Sequence, residues 1–130
     1  MLQSWQTLLG DMEAHLAERP YFFGGRPTLG DFSIFGQLVE AYSDVSGGRV
    51  IRASHPAVEA WIKRMHSPSV EGEFEPLESL MPTLGPLLKN SVAARFLPWT
   101  CANAKAWEAG EKLTSLEFDG QLYQQNTFKY

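Results

Sequence analysis

Cysteine occurs once in this sequence, at Cys101. A lone cysteine cannot close an internal disulfide, so the fold must rest on its core, and a reducing cytoplasm is the expected setting. Basic charge is scarce too: 11 Lys and Arg against 15 Asp and Glu leave a net charge of −4. The basic residues are scattered, and the pair Lys63-Arg64 is too small a cluster for phosphate recognition, so nucleic acid is not an expected partner. No apolar run approaches the ~20 residues of a membrane span. No N-terminal stretch joins a basic start, an apolar run and a small-residue cleavage site. Gly24-Gly25 and Gly47-Gly48 lack the strand–turn–helix context of a phosphate loop. No internal repeat is visible. What is present is 44% hydrophobic and 20% charged residues in a chain of 130. That is enough for one domain to bury roughly two thirds of its unfolded surface.

The chain opens directly in an amphipathic pattern, an abrupt start that suggests something upstream is missing. Leu2, Trp5, Leu9, Met12 and Leu16 form one helical stripe, and Glu18-Arg19-Pro20 ends it. Pro20–Pro27 reads as a loop with three successive aromatics, Tyr21, Phe22 and Phe23, part of which must fold back onto the helices. Thr28-Leu-Gly-Asp31 has the form of a capping box. The helix it starts reaches about Tyr42, with Phe32, Phe35, Leu38, Val39 and Tyr42 expected inward. Gly36 in its interior costs up to ~1 kcal/mol against alanine, which close approach of another helix would explain. Ser43–Ala53 reads as a connector. Ser54 is a plausible N-cap for a third helix, with Pro56 in its first turn and Val58, Trp61, Ile62 and Met65 buried.

Beyond the break at Ser67–Gly72, helical spacing returns from Glu75. Pro82 and Pro86 are expected to divide this region into a short helix ending near Leu80 and a new one from Pro82. Trp99–Glu111 reads as a last helix. Thr114–Phe118, Asp119-Gly120 and Gln121–Gln125 form a hairpin pattern with a type I′ turn. The stripe of Leu2–Leu16 needs cover, and Leu84–Glu111 is the expected source. The fold class is therefore an all-α bundle with a small C-terminal β-hairpin.

The run Glu-Arg-Pro-Tyr-Phe-Phe-Gly-Gly-Arg-Pro-Thr-Leu-Gly-Asp-Phe-Ser-Ile-Phe-Gly, Glu18 to Gly36, resembles the centre of the helical C-terminal domain of glutathione S-transferases. There a helix ending in Arg-Pro-aromatic is followed by a glycine loop and a Pro-Thr-(Leu/Ile)-Ala-Asp capping box. Thr28 and Asp31 carry that box here. His55–Met65 is similar to the helix that follows. The resemblance covers residues 1–67; residues 68–130 read as a C-terminal extension of the same single domain, with its hairpin at 114–125. It implies a family whose members place a thioredoxin-like domain first, with the glutathione site and the residue that acts on the thiol. None of that lies in these 130 residues, and Leu2–Glu18 corresponds to the family's second long helix. The resemblance thus implies a half that supplies the hydrophobic co-substrate wall and a packing surface. It implies no bound cofactor in this chain, with glutathione held only by the missing domain, and no activity alone. The competing expectation is a non-catalytic interaction or oligomerisation module of the same fold. A homo-oligomer or a partner domain would cover the face that the absent first helix leaves open.

Few residues invite chemistry. His15, His55 and His66 fall on different elements without ligand spacing, so no metal site is expected, and His15 reads as a surface partner of Asp11. Cys101 is either an activated thiol near a helix start or a small buried residue. Glu71, Glu73, Glu75 and Glu78 read as a solvated acidic stretch. No catalytic residue is assigned. Tyr42, Phe96, Trp99 and Trp107 are candidates for an apolar substrate pocket, with ordinary core packing as the alternative.

Overall fold

The computed structural model describes residues 2–129, with side chains from Ser4 onward. Leu2 of the expected stripe lies outside the described side chains. The chain is mostly helical and ends in a two-stranded antiparallel hairpin. It forms two compact units, one up to Leu87 and one from Leu88.

The first unit holds α1 (Leu2–Leu16), α2 (Leu29–Ser43), α3 (Val45–Ser54), α4 (Pro56–Met65) and α5 (Leu77–Leu87). Leu9, Met12 and Leu16 of α1, Val58, Trp61, Ile62 and Met65 of α4, and Leu80, Leu84 and Leu87 of α5 share one core with Leu38, Ile51, Tyr21 and Phe22. Helix α1 packs on both α4 and α5. The cover expected from Leu84–Glu111 thus comes, within this unit, from α4 and α5.

Four expectations need correction. Ser43–Ala53 is not a connector but contains α3. The Asp44 carboxylate caps it, accepting from the backbone of Ser46 at 2.8 Å and Gly47 at 3.0 Å. A Cβ at Gly47 or Gly48 would strike the carbonyls of Ala41 and Tyr42, so these glycines let α3 turn tightly off the end of α2. Ser54 is then the last residue of α3 and does not cap α4. The α4 cap comes from α1 instead: the Glu13 carboxylate accepts from Ala57 N at 2.9 Å and from Val58 N at 3.0 Å.

Third, Pro82 and Pro86 do not divide the helix; α5 runs through both. They lie four residues apart on its exposed side, where carbonyls left without donors can be hydrated. On the opposite side three leucines are buried, each contributing about 1.5–3 kcal/mol, which is comparable to the ~3 kcal/mol cost of an internal proline. Fourth, Phe32 faces outward, 49% exposed. The inward position one residue earlier belongs to Asp31, and Ile34, Phe35, Leu38 and Tyr42 continue that side.

The second unit begins with Leu88–Phe96, wound as a π-helix, and continues as α6 (Leu97–Glu108). Strands β1 (Leu113–Phe118) and β2 (Gln121–Asn126) pair with Phe118 opposite Gln121, leaving Asp119-Gly120 as a two-residue turn. Both turn residues have positive φ, 51° and 73°, as a type I′ turn requires. A two-stranded hairpin is marginal alone, and β1 docks on α6. Asn103 of α6 fastens it: its amide donates to Phe128 O at 2.7 Å, and its carbonyl accepts from Phe128 N and Thr114 Oγ1, each at 3.1 Å.

Candidate functional site

Polar groups inside the first unit gather at two points. The first is Asp31, fully buried on the first turn of α2. One carboxylate oxygen accepts from Thr28 N at 2.9 Å and Thr28 Oγ1 at 2.7 Å; the Thr28 hydroxyl oxygen in turn accepts from Asp31 N at 3.4 Å. These bonds form the capping box. The other oxygen accepts from Phe22 N at 3.0 Å and from the Trp61 indole at 3.1 Å. The box therefore does more than start a helix. It ties the aromatic loop and α4 to α2, and four donors make a buried carboxylate affordable.

The second point is His15, which is fully buried and not a surface residue. Nδ1 lies 2.8 Å from Thr83 Oγ1 and Nε2 lies 2.8 Å from Phe22 O. Arg19, also buried, reaches His15, Thr83, Glu75 and Glu18. Sequence spacing paired His15 with Asp11 because both lie on one helix. Its partner Thr83 comes from 68 residues away, on α5.

The acidic stretch is not simply solvated. Glu71 pairs with Arg64 at 2.8 Å, Glu73 with Arg26 at 2.6 Å and Glu75 with Arg19 at 3.2 Å. Beneath these pairs the stretch runs against the glycine loop: Gly25 N donates to Glu73 O at 2.8 Å and Glu75 N to Phe23 O at 3.0 Å. A Cβ at Gly24 or Gly25 would collide with this backbone, so the glycines permit close approach as well as the turn. The loop aromatics divide accordingly, with Tyr21 and Phe22 buried and Phe23 at the surface.

The outer side of α2 has the opposite character. Leu29 is 83% exposed, Phe32 stands one turn on, and Gly36 follows with open space where a Cβ would be. The close helix expected at Gly36 is not among the described residues. The same helix also exposes Ser33, Gln37 and Glu40.

Of the substrate-pocket candidates, Tyr42 belongs to the first unit and Phe96, Trp99 and Trp107 to the second. Tyr42 is half-buried. Its hydroxyl donates to Glu59 at 2.8 Å, and the Arg52 guanidinium lies 4.9 Å over its ring. Lys63 and the Tyr42 hydroxyl hold the Glu59 carboxyl below its ordinary value, and Glu59 raises Lys63 in return. In the second unit Phe96 and Trp107 are exposed and Trp99 is half-buried. Trp107 borders an open hollow with Gly110, Glu111, Lys112, Asn126 and Thr127, without Phe96 or Trp99. Cys101 is exposed on α6, so the buried alternative does not hold. Among the described residues no three His, Cys, Asp or Glu side chains converge as metal ligands, and no helix is long and apolar enough to cross a membrane.

Residues 1–64 match the family model of the glutathione S-transferase C-terminal domain. That segment spans α1 through nearly all of α4, with the Thr28–Asp31 box at its centre. Residues 1–64 belong to the glutathione S-transferase C-terminal domain family. No curated protein and no solved structure matches the chain. Within this glutathione S-transferase-like domain the capping box is a structural device. Both of its side chains spend their hydrogen bonds on the protein itself.

Proposed function

We propose that this chain is the helical half of a glutathione-dependent transferase, giving the apolar wall for the second substrate and a packing face for a glutathione-binding domain. The observation that carries this reading is the contrast between the two sides of α2. One side is locked inward through Asp31, and the other presents Leu29, Phe32 and the bare Gly36 to solvent. A bare glycine one turn beyond two exposed apolar residues is suited to close packing of another element. Glutathione is bound by that other domain, and this chain alone does not conjugate it. Phe96, Trp99 and Trp107 supply apolar contacts to the co-substrate from the second unit, and Phe96 is the most exposed of these rings.

The test is binding of the 130-residue protein to a thioredoxin-like, glutathione-binding domain supplied separately. Phe32→Asp should weaken that binding at least tenfold without lowering the urea midpoint. Equal binding by the two forms would remove the packing face from α2.

A second reading is a non-catalytic interaction or oligomerisation module. The exposed Leu29, Phe32, Val45, Phe74 and Leu77 of the first unit are the apolar surface such a module would use. Light scattering separates the two. A concentration-dependent dimer lost in Phe32→Asp supports the module, and a monomer at all concentrations supports the transferase half.

A further inference from the structure

Helix α5 is fastened to α1 through a buried imidazole whose protonation state can be read from its neighbours. Nε2 of His15 lies 2.8 Å from Phe22 O, which can only accept, so Nε2 carries a proton. Nδ1 lies 2.8 Å from the Thr83 hydroxyl and 3.0 Å from Arg19 Nη1. A guanidinium can only donate, so the Arg19 contact requires the Nδ1 lone pair and the ring is neutral. The two N–H bonds of Arg19 Nη1 are shared among Nδ1, Thr83 Oγ1 at 2.9 Å and His15 O at 2.8 Å, which closes a ring of contacts between α1 and α5.

We propose that His15 is an acid-sensitive latch, holding α5 against α1 while neutral and releasing it when the ring takes a second proton. The second proton occupies the Nδ1 lone pair. Arg19 then loses an acceptor, and two cations face each other 3.0 Å apart in a site closed to solvent. The charged groups around the ring are few. Arg19 and Glu18 come from the end of α1 and the turn after it, and Glu75 from the segment leading into α5. Thr83 of α5 and the Phe22 carbonyl and ring of the aromatic loop are neutral.

Burial lowers the pKa of His15 most. The Phe22 bond raises it, Arg19 lowers it, and Glu75 and Glu18 raise it; the balance lies below the ordinary 6.5. The unfolded or released ring therefore binds its proton first as pH falls. The latch is fully effective above pH 6.5, weakens as pH drops toward the folded-state pKa, and levels off below that value. Its release frees Leu80, Leu84 and Leu87 from the core of the first unit.

Hydrogen exchange followed by NMR on the intact chain between pH 7.5 and 5 tests this. After correction for intrinsic rates, the opening constants of the Leu84 and Leu87 amides should rise up to tenfold per pH unit below 6.5. Those of α3 should stay constant. The ring signal that disappears in His15→Gln should titrate below 6.5. In that variant the pH dependence of α5 opening should vanish. If the variant does not fold, the wild-type exchange and titration decide alone. Constant α5 opening across the range, or a His15 ring that titrates at or above 6.5, would overturn the latch.

Discussion

The two units of this chain are held together by different means. The first, up to Leu87, encloses fourteen buried apolar residues among those described and sets two polar hubs, Asp31 and His15, among them. The second, from Leu88, buries Ala106 as its one apolar core residue among those described, together with Asn103 and Thr114. Its order comes from hydrogen bonds: a hairpin closed by a type I′ turn and an asparagine that fastens strand to helix. The family match ends at residue 64, inside the core-rich unit. The difference shows that the polar groups of the first unit direct a core that is already stable, whereas those of the second take the place of one.

That contrast can be broken most strongly at Trp61. Trp61→Ala removes a fully buried indole and should destabilise the first unit by about 3–5 kcal/mol, read from a urea transition. Asp31→Ala comes next. The loss of a cap alone is worth ~1 kcal/mol, but the Phe22 amide and the Trp61 indole also become buried donors without an acceptor. A cost of about 3 kcal/mol is expected from the same measurement. A cost near 1 kcal/mol would mean that Asp31 only starts a helix.

Asn103→Ala probes the second unit. It removes three hydrogen bonds at 2.7–3.1 Å and should cost about 1–3 kcal/mol, seen as faster amide exchange in Leu113–Phe118. If exchange there is unchanged, the hairpin is held by something other than Asn103. The smallest effect is expected at Gly36. An added methyl meets no atom, so Gly36→Ala should stabilise α2 by up to ~1 kcal/mol, visible as a rise in Tm. A loss of stability there would reveal a neighbour that the described residues do not include.

Much of this was legible in the residues themselves, and the rest was hidden for identifiable reasons. The α1 stripe, the Thr28–Asp31 box, the buried side of α4 and the Asp-Gly turn are local patterns, each complete within a few residues. Helix α3 was missed because Gly47-Gly48 has a poor helix propensity; the gain from fitting against Ala41 and Tyr42 is tertiary. The continuity of α5 was missed because proline was weighed without the three leucines it accompanies. His15 was misread, and the capping role of Glu13 was not foreseen, for one reason. Their partners, Thr83 and the start of α4, lie 68 and 44 residues away, and no spacing rule links them. The outward turn of Phe32 follows from the burial of Asp31, an inversion that hydrophobic periodicity cannot foresee.

The most direct measurement is glutathione conjugation to a generic electrophile, with the purified chain alone and then with a glutathione-binding thioredoxin-like domain added. A helical half without its own glutathione site should give the background rate alone and should raise the rate of the added domain. Conjugation above background by the chain alone would contradict this account.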